Sequence, residues 1–235
     1  MLSQKQKLVF IHVPKVAGQS IESFFLNKEG LGWESRHQLL LRKNEIPANG
    51  PPRLAHLKAH EYLKYNYIDQ DRFDNYFKFS FVRNPWSRMV SFYKYSGFQS
   101  LTSFDNFILK VLDRLMEKER WFYAPQHEFT HHKGKQLVNF IGYFETLKLD
   151  FERVLSMLDY PKEELPHVNS SSKKKGRELF NHSIFLLKRY PILLSYLGKG
   201  SSGLRYQDYY SNRSRKKVEA LYEKDIELFN YQFEQ

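Results

Sequence analysis

Lys15 and Arg83 are the residues around which chemistry can be built in this sequence. Lys15 lies in the run Phe10-Ile11-His12-Val13-Pro14-Lys15-Val16-Ala17-Gly18-Gln19-Ser20, and Arg83 in Phe79-Ser80-Phe81-Val82-Arg83-Asn84-Pro85-Trp86-Ser87-Arg88-Met89-Val90-Ser91. Each run is an apolar, strand-like stretch that stops at a turn carrying a cation and hydroxyls and then enters a helix. In the first, Pro14 ends the strand, Gly18 permits a backbone shape that other residues resist, and Ser20 is a capping candidate. Amides at a helix start carry partial positive charge, so with Lys15 beside them they form a turn for an anion. In the second, Asn84 suits an N-cap and Pro85 the first helical position, which places Arg83 at the carboxyl end of a strand, where open α/β sheets bind ligands. Ser91 follows about two helical turns later, so its hydroxyl could share one anionic group with the guanidinium. Two such turns could grip the two ends of one phosphorylated nucleotide. Taken alone, the first turn also reads as a plain strand-turn-helix with a surface lysine. Trp86 reads as packing, and Arg88 as structural.

The elements that must position these residues follow from the apolar pattern. Residues 7–13, 76–82 and 137–143 read as buried strands, 53–55 as a short strand, and 44–52 as a proline-rich loop. Helices are expected over 19–26, 85–95, 103–120, 149–158 and 211–229, with helical turns over 59–65 and 69–76. Strands alternating with helices predict an α/β fold, a single domain with a central parallel β-sheet flanked by helices.

Composition narrows the function classes. The 235 residues, 41% of them hydrophobic, suffice for one well-buried domain, and the absence of cysteine excludes disulfides and thiolate metal sites. The 37 basic against 26 acidic residues give a net charge of +11 and an attraction to anionic partners of unspecified kind. The densest basic patches, Lys173-Lys174-Lys175-Gly176-Arg177 and Arg213-Ser214-Arg215-Lys216-Lys217, read first as solvated faces. The aromatic residues are spread through core segments and form no stacking platform for single-stranded nucleic acid. The apolar run at residues 8–13 is too short for a signal-peptide core or a membrane anchor.

Pro14 to Ser20 resembles the PKTAGTS-type loop, and the segment from Phe81 to Tyr93 the RNPxxRxxSxY segment, of the Golgi-type carbohydrate sulfotransferases and their soluble bacterial relatives. The likeness continues in His56-Leu57-Lys58-Ala59, in Phe140-Ile141-Gly142-Tyr143-Phe144-Glu145, in Leu165-Pro166-His167-Val168-Asn169 and in the tail. It implies a P-loop-kinase-like sulfotransferase fold and PAPS (3′-phosphoadenosine 5′-phosphosulfate) as sulfuryl donor. Pro14, Lys15, Val16, Ala17, Gly18, Gln19 and Ser20 would hold the 5′-phosphosulfate, and Arg83 and Ser91 the 3′-phosphate. The loop with His167, Asn169, Ser171 and Lys173 would approach the nucleotide as a lid; by composition alone it is an exposed solvated loop. Val16 and Gln19 stand where the family usually has threonines, and Tyr143 where an arginine is common. Residues 176–203 depart most from the family and read as an insertion, suited to the acceptor or to a peripheral membrane contact, or else added structure covering the sheet. Likeness to the bacterial members implies a cytoplasmic protein.

Sulfuryl transfer needs an acceptor aligned, its proton taken, and the charge of the departing phosphate neutralised. By the resemblance Lys15 serves the last role. The base wants a pKa near neutrality, which favours histidine. His56 is the first candidate, matching the GHxxA-type histidine of bacterial relatives, and His60, one turn later, is the alternative. His12, inside the first strand, reads as buried and hydrogen-bonded. His127, His131 and His132 resemble a metal cluster, but no carboxylates complete a ligand set, so no metal is expected. The leading expectation is therefore a PAPS-dependent sulfotransferase acting on a hydroxyl of a saccharide or glycolipid and releasing PAP. A P-loop-type phosphoryl-transfer or nucleotide-binding protein is the second reading; against it stand the missing GxxxxGK[ST] and magnesium-binding aspartate. A basic nucleic-acid-binding protein is the third, supported by charge alone.

Overall fold

A computed structural model of the chain describes residues 1–166, 168 and 177–234, for 177–180 without their side chains; His167, Asn169, Ser171 and Lys173 lie outside the described residues. The chain forms two compact units, Met1–Arg83 with Ala124–Ser170, and Asn84–Tyr123 with Ser171–Gln235.

The first unit is built on a sheet of four strands in the order β1 (Leu2–Ser3), β2 (Leu8–Ile11), β3 (Phe77–Val82) and β6 (Phe140–Tyr143). The strands β2, β3 and β6 run parallel, and the short edge strand β1 pairs antiparallel with β2. Strands covered on both faces read as unbroken apolar runs, and every residue of β2 is buried. Phe10 stacks on Phe79 at 5.0 Å, and the buried Ser80 donates its hydroxyl to the Ile11 carbonyl at 2.7 Å. Gly142 leaves room for the Phe81 ring: a Cβ there would stand 2.5 Å from it. Helix α1 (Gly18–Glu29) buries Ile21, Phe24 and Phe25, and the helix Leu147–Met157 brings Phe151 to within 5.0 Å of Phe24. The register Ile11↔Ser80 and Ser80↔Ile141 aligns the carboxyl ends of the three parallel strands, so the residues that follow them, up to Lys15, Arg83 and Phe144, emerge on one edge of the sheet.

Two smaller expectations change in this unit. Residues 53–55 form no strand: Arg53 makes a single bridge to Lys43, and Leu54–His56 is a 3-10 turn leading into α2 (Ala59–Lys64). The helix α3 (Gln70–Asn75) precedes β3, and a hairpin, β4 (His131–His132) with β5 (Lys135–Gln136), precedes β6.

The second unit opens with α4 (Pro85–Tyr95), whose N-cap Asn84 accepts from the amides of Trp86 and Ser87 at 3.1 and 3.3 Å. Arg88 is fully buried, its guanidinium 4.9 Å from the Phe92 ring; burial lowers its pKa, and Tyr222 and the buried Asp225 oppose that shift. Trp86 packs edge-on against Phe233 at 5.4 Å, so both residues serve the packing of this unit. The stretch expected as one helix over 103–120 is broken by a π-turn at Phe107–Val111, and the tail helix divides at Tyr222 into Asn212–Leu221 and Glu223–Leu228. The Tyr222 hydroxyl, drawn inward, donates to the Tyr123 carbonyl at 2.8 Å.

Candidate active site

The turn after β2 takes its shape from residues other than the glycine. Lys15 and Ala17 hold positive φ angles of 74° and 64°, a conformation that costs most non-glycine residues of order 1–2 kcal/mol. Ala17, as N-cap, offers no side-chain acceptor to the first amides of α1, and Ser20 lies inside the helix instead of capping it. Gly18 is needed for space: a Cβ on it would fall 1.9 Å from His12 Nε2. Val16 is fully buried in the apolar core, so the position where relatives carry a hydroxyl here serves packing. Gln19 and Ser20 are half-buried in the first turn of α1.

The His12 ring that presses on Gly18 is itself held. Its Nδ1 lies 2.6 Å from Glu22 Oε1, both residues being buried. His56 stands beside this ring, centroids 4.5 Å apart, and its Nδ1–H donates to the His12 carbonyl at 3.0 Å. That bond fixes the tautomer, leaving the lone pair of neutral His56 on Nε2. Burial first, and then His12, lower the His56 pKa well below the ordinary value. His60 differs in setting: its ring stacks on His132 at 4.3 Å, its buried Nδ1 has no hydrogen-bond partner among the described residues, and burial followed by His132 lowers its pKa to about 4. Neither imidazole sits near neutrality. Contacts through His12 tie His56 to the Lys15 turn, whereas His60 belongs to the α2 and hairpin side of the unit.

Arg83 is placed with unusual firmness. Buried Gln126 accepts from the Arg83 amide at 2.9 Å and donates to the Arg83 carbonyl at 2.7 Å, so one side chain continues the strand ladder past the end of β3. The guanidinium lies 4.1 Å from the Phe144 ring centroid and donates from Nη1 to the Lys15 carbonyl at 3.3 Å. Two cations thus meet at one edge of the sheet. Burial first, and then Arg83, lower the Lys15 pKa to about 8. A concentration of positive charge beside uncapped helix amides is a site for a multiply charged anion. Ser91, on α4, is half-buried in the second unit. Among the described residues no three His, Cys, Asp or Glu side chains are grouped to hold a metal ion.

Gln126, Phe144, His12 and Glu22 are the positions that reasoning from sequence missed or set aside. The Glu22 partnership had a signal. Glu22 shares the buried face of α1 with Ile21 and Phe25, and a carboxylate there demands a partner. Gln126 carried none.

The site brings two cations to the carboxyl edge of a mainly parallel α/β sheet. The sequence matches the Sulfotransferase family over residues 1–232, and the chain belongs to that family. An uncharacterized protein of Archaeoglobus fulgidus is 33% identical over 119 residues, which span 48% of this chain and 93% of that protein. Family membership supports sulfuryl transfer as the reaction class.

Proposed function

We propose that this protein transfers the sulfuryl group of PAPS to a hydroxyl of a saccharide or glycolipid and releases PAP. The observation that carries the reading is the meeting of Lys15 and Arg83 beside the open start of α1. The amides at Gly18 and Gln19, with Lys15, would hold the 5′-phosphosulfate and stabilise charge on the departing phosphate oxygen. Arg83 would hold the 3′-phosphate. PAPS supplies the sulfuryl group itself. His56 would take the acceptor proton at Nε2, its ring held by the bond from Nδ1–H to the carbonyl of His12, whose own ring pairs with Glu22. The donor and the acceptor class rest on resemblance to relatives. The family supports a transferase, and the pair of cations suits a nucleotide with phosphates at both ends.

The test is thermal unfolding with PAP and with ATP. At about 100 times its Kd a ligand adds about 2.7 kcal/mol, a melting shift of about 5 to 10 °C for a chain of this size. PAP is expected to give that shift, and ATP, without a 3′-phosphate, a much smaller one. Equal shifts, or none, would refute the nucleotide assignment.

A further inference from the structure

Five of the twelve large apolar side chains that stand exposed among the described residues fall between 184 and 204: Ile184, Phe185, Leu194, Leu197 and Leu204. Single exposed apolar residues are ordinary; a concentration of them in one short stretch marks an interaction surface. The fold accounts for the opposite side of this stretch. In the helix Arg177–Arg189, Leu186 is buried, His182 bonds through Nε2 to the Ser96 carbonyl at 3.0 Å, and the following Tyr190 packs 6.0 Å from Phe98. Ile184, Phe185 and Lys188 share the outer side, since residues three and four apart lie on one helix face, and Phe185 remains 54% exposed. The next turn, Pro191–Tyr196, repeats the division: Leu193 is buried and Leu194 is 60% exposed.

The charge of the stretch supplies the second observation. From 181 to 207 the sequence holds Lys188, Arg189, Lys199 and Arg205 and no aspartate or glutamate, in a chain with 26 acidic residues. Arg189 pairs with Glu119 and Arg205 with Asp208, while Lys188 and Lys199 stand exposed. Apolar side chains interleaved with lysines and free of acids suit an anionic bilayer, whose acyl boundary accepts the former and whose phosphates accept the latter. An acidic polysaccharide would use the lysines and leave Ile184, Phe185 and Leu194 without a role. We propose that residues 184–204 dock this protein peripherally on an anionic lipid surface. No helix among the described residues is long and apolar enough to cross a membrane. The proposal is independent of the nucleotide reading.

Sedimentation of the full chain with vesicles tests it, using phosphatidylcholine alone and phosphatidylcholine mixed with phosphatidylglycerol. Binding is expected to the mixed vesicles, to weaken with salt, and to fall about tenfold or more in Phe185→Ser/Leu194→Ser at constant salt, with Phe185→Leu near the parent. Hydrogen exchange on the unmodified chain gives a readout that needs no variant, and slower exchange over 184–199 with mixed vesicles is expected. No binding to the mixed vesicles would overturn the proposal. So would binding unchanged in the double variant, which would mean adsorption by net charge alone. Binding to heparin that depends on Phe185 and Leu194, without vesicle binding, would reassign the face and equally overturn it.

Discussion

Lys15 is half-buried beside a second cation, and its pKa, lowered to about 8, makes the site sensitive to mildly basic pH. An anion bound between Lys15 and Arg83 favours the charged form, so the bound state holds its proton to higher pH than the free state. Binding therefore takes up a proton above about pH 8, and PAP affinity is expected to fall as pH rises through that value, by at most about tenfold per unit. Calorimetric titration from neutral to mildly basic pH checks this, and Lys15→Met should bind weakly with the slope removed. A flat profile in the parent would contradict it. The histidines give a different profile, since the pKa of His56 lies well below the ordinary value. Activity that needs neutral His56 should stay level as pH falls through the usual histidine range and decline only beneath it. His56→Ala should abolish turnover with PAP binding near normal. Loss of turnover in His60→Ala with His56→Ala still active would transfer the role. At this scale the sequence draws attention to Lys15, Arg83 and His56 because their side chains announce chemistry, and the structure adds where each one sits. The neutral amide of Gln126 announces nothing, and its value comes from a backbone it meets 43 residues away.

Among elements, the alignment of strand ends does the positioning. The three buried strands and α4 were legible because apolar runs and the Asn84-Pro85 start are local signals. The 3-10 turn at Leu54–His56 and the π-turn at Phe107–Val111 were not, because tertiary packing selects them over what the local sequence favours. The role of Gly18 was also hidden: the residue is fixed by the His12 ring against it and not by its own φ. Past the end of β3, Gln126 bonds both backbone groups of Arg83. Gln126→Ala leaves two backbone groups of Arg83 without this partner, at a cost of about 1–3 kcal/mol each where they stay dry. If the clamp serves Arg83 and through it the 3′-phosphate, this variant should lose about tenfold in affinity for PAP and much less for 5′-AMP. Equal losses for both ligands would show that the clamp supports stability alone.

For the whole molecule, the central claim is that Lys15 with the start of α1 and Arg83 divide one nucleotide between them, the 5′ end to the turn and the 3′-phosphate to the arginine. Net charge speaks only to attraction for anions in general, whereas the division of labour is specific and can be measured as a coupling. The direct measurement is a cycle of four Kd values by calorimetry, PAP and 5′-AMP each against the parent chain and Arg83→Ala. The parent is expected to bind PAP at least about tenfold more tightly than 5′-AMP, since a charge-assisted contact is at stake, and Arg83→Ala to bind the two nearly alike. An undiminished preference for PAP in Arg83→Ala, or no preference in the parent, would contradict the account.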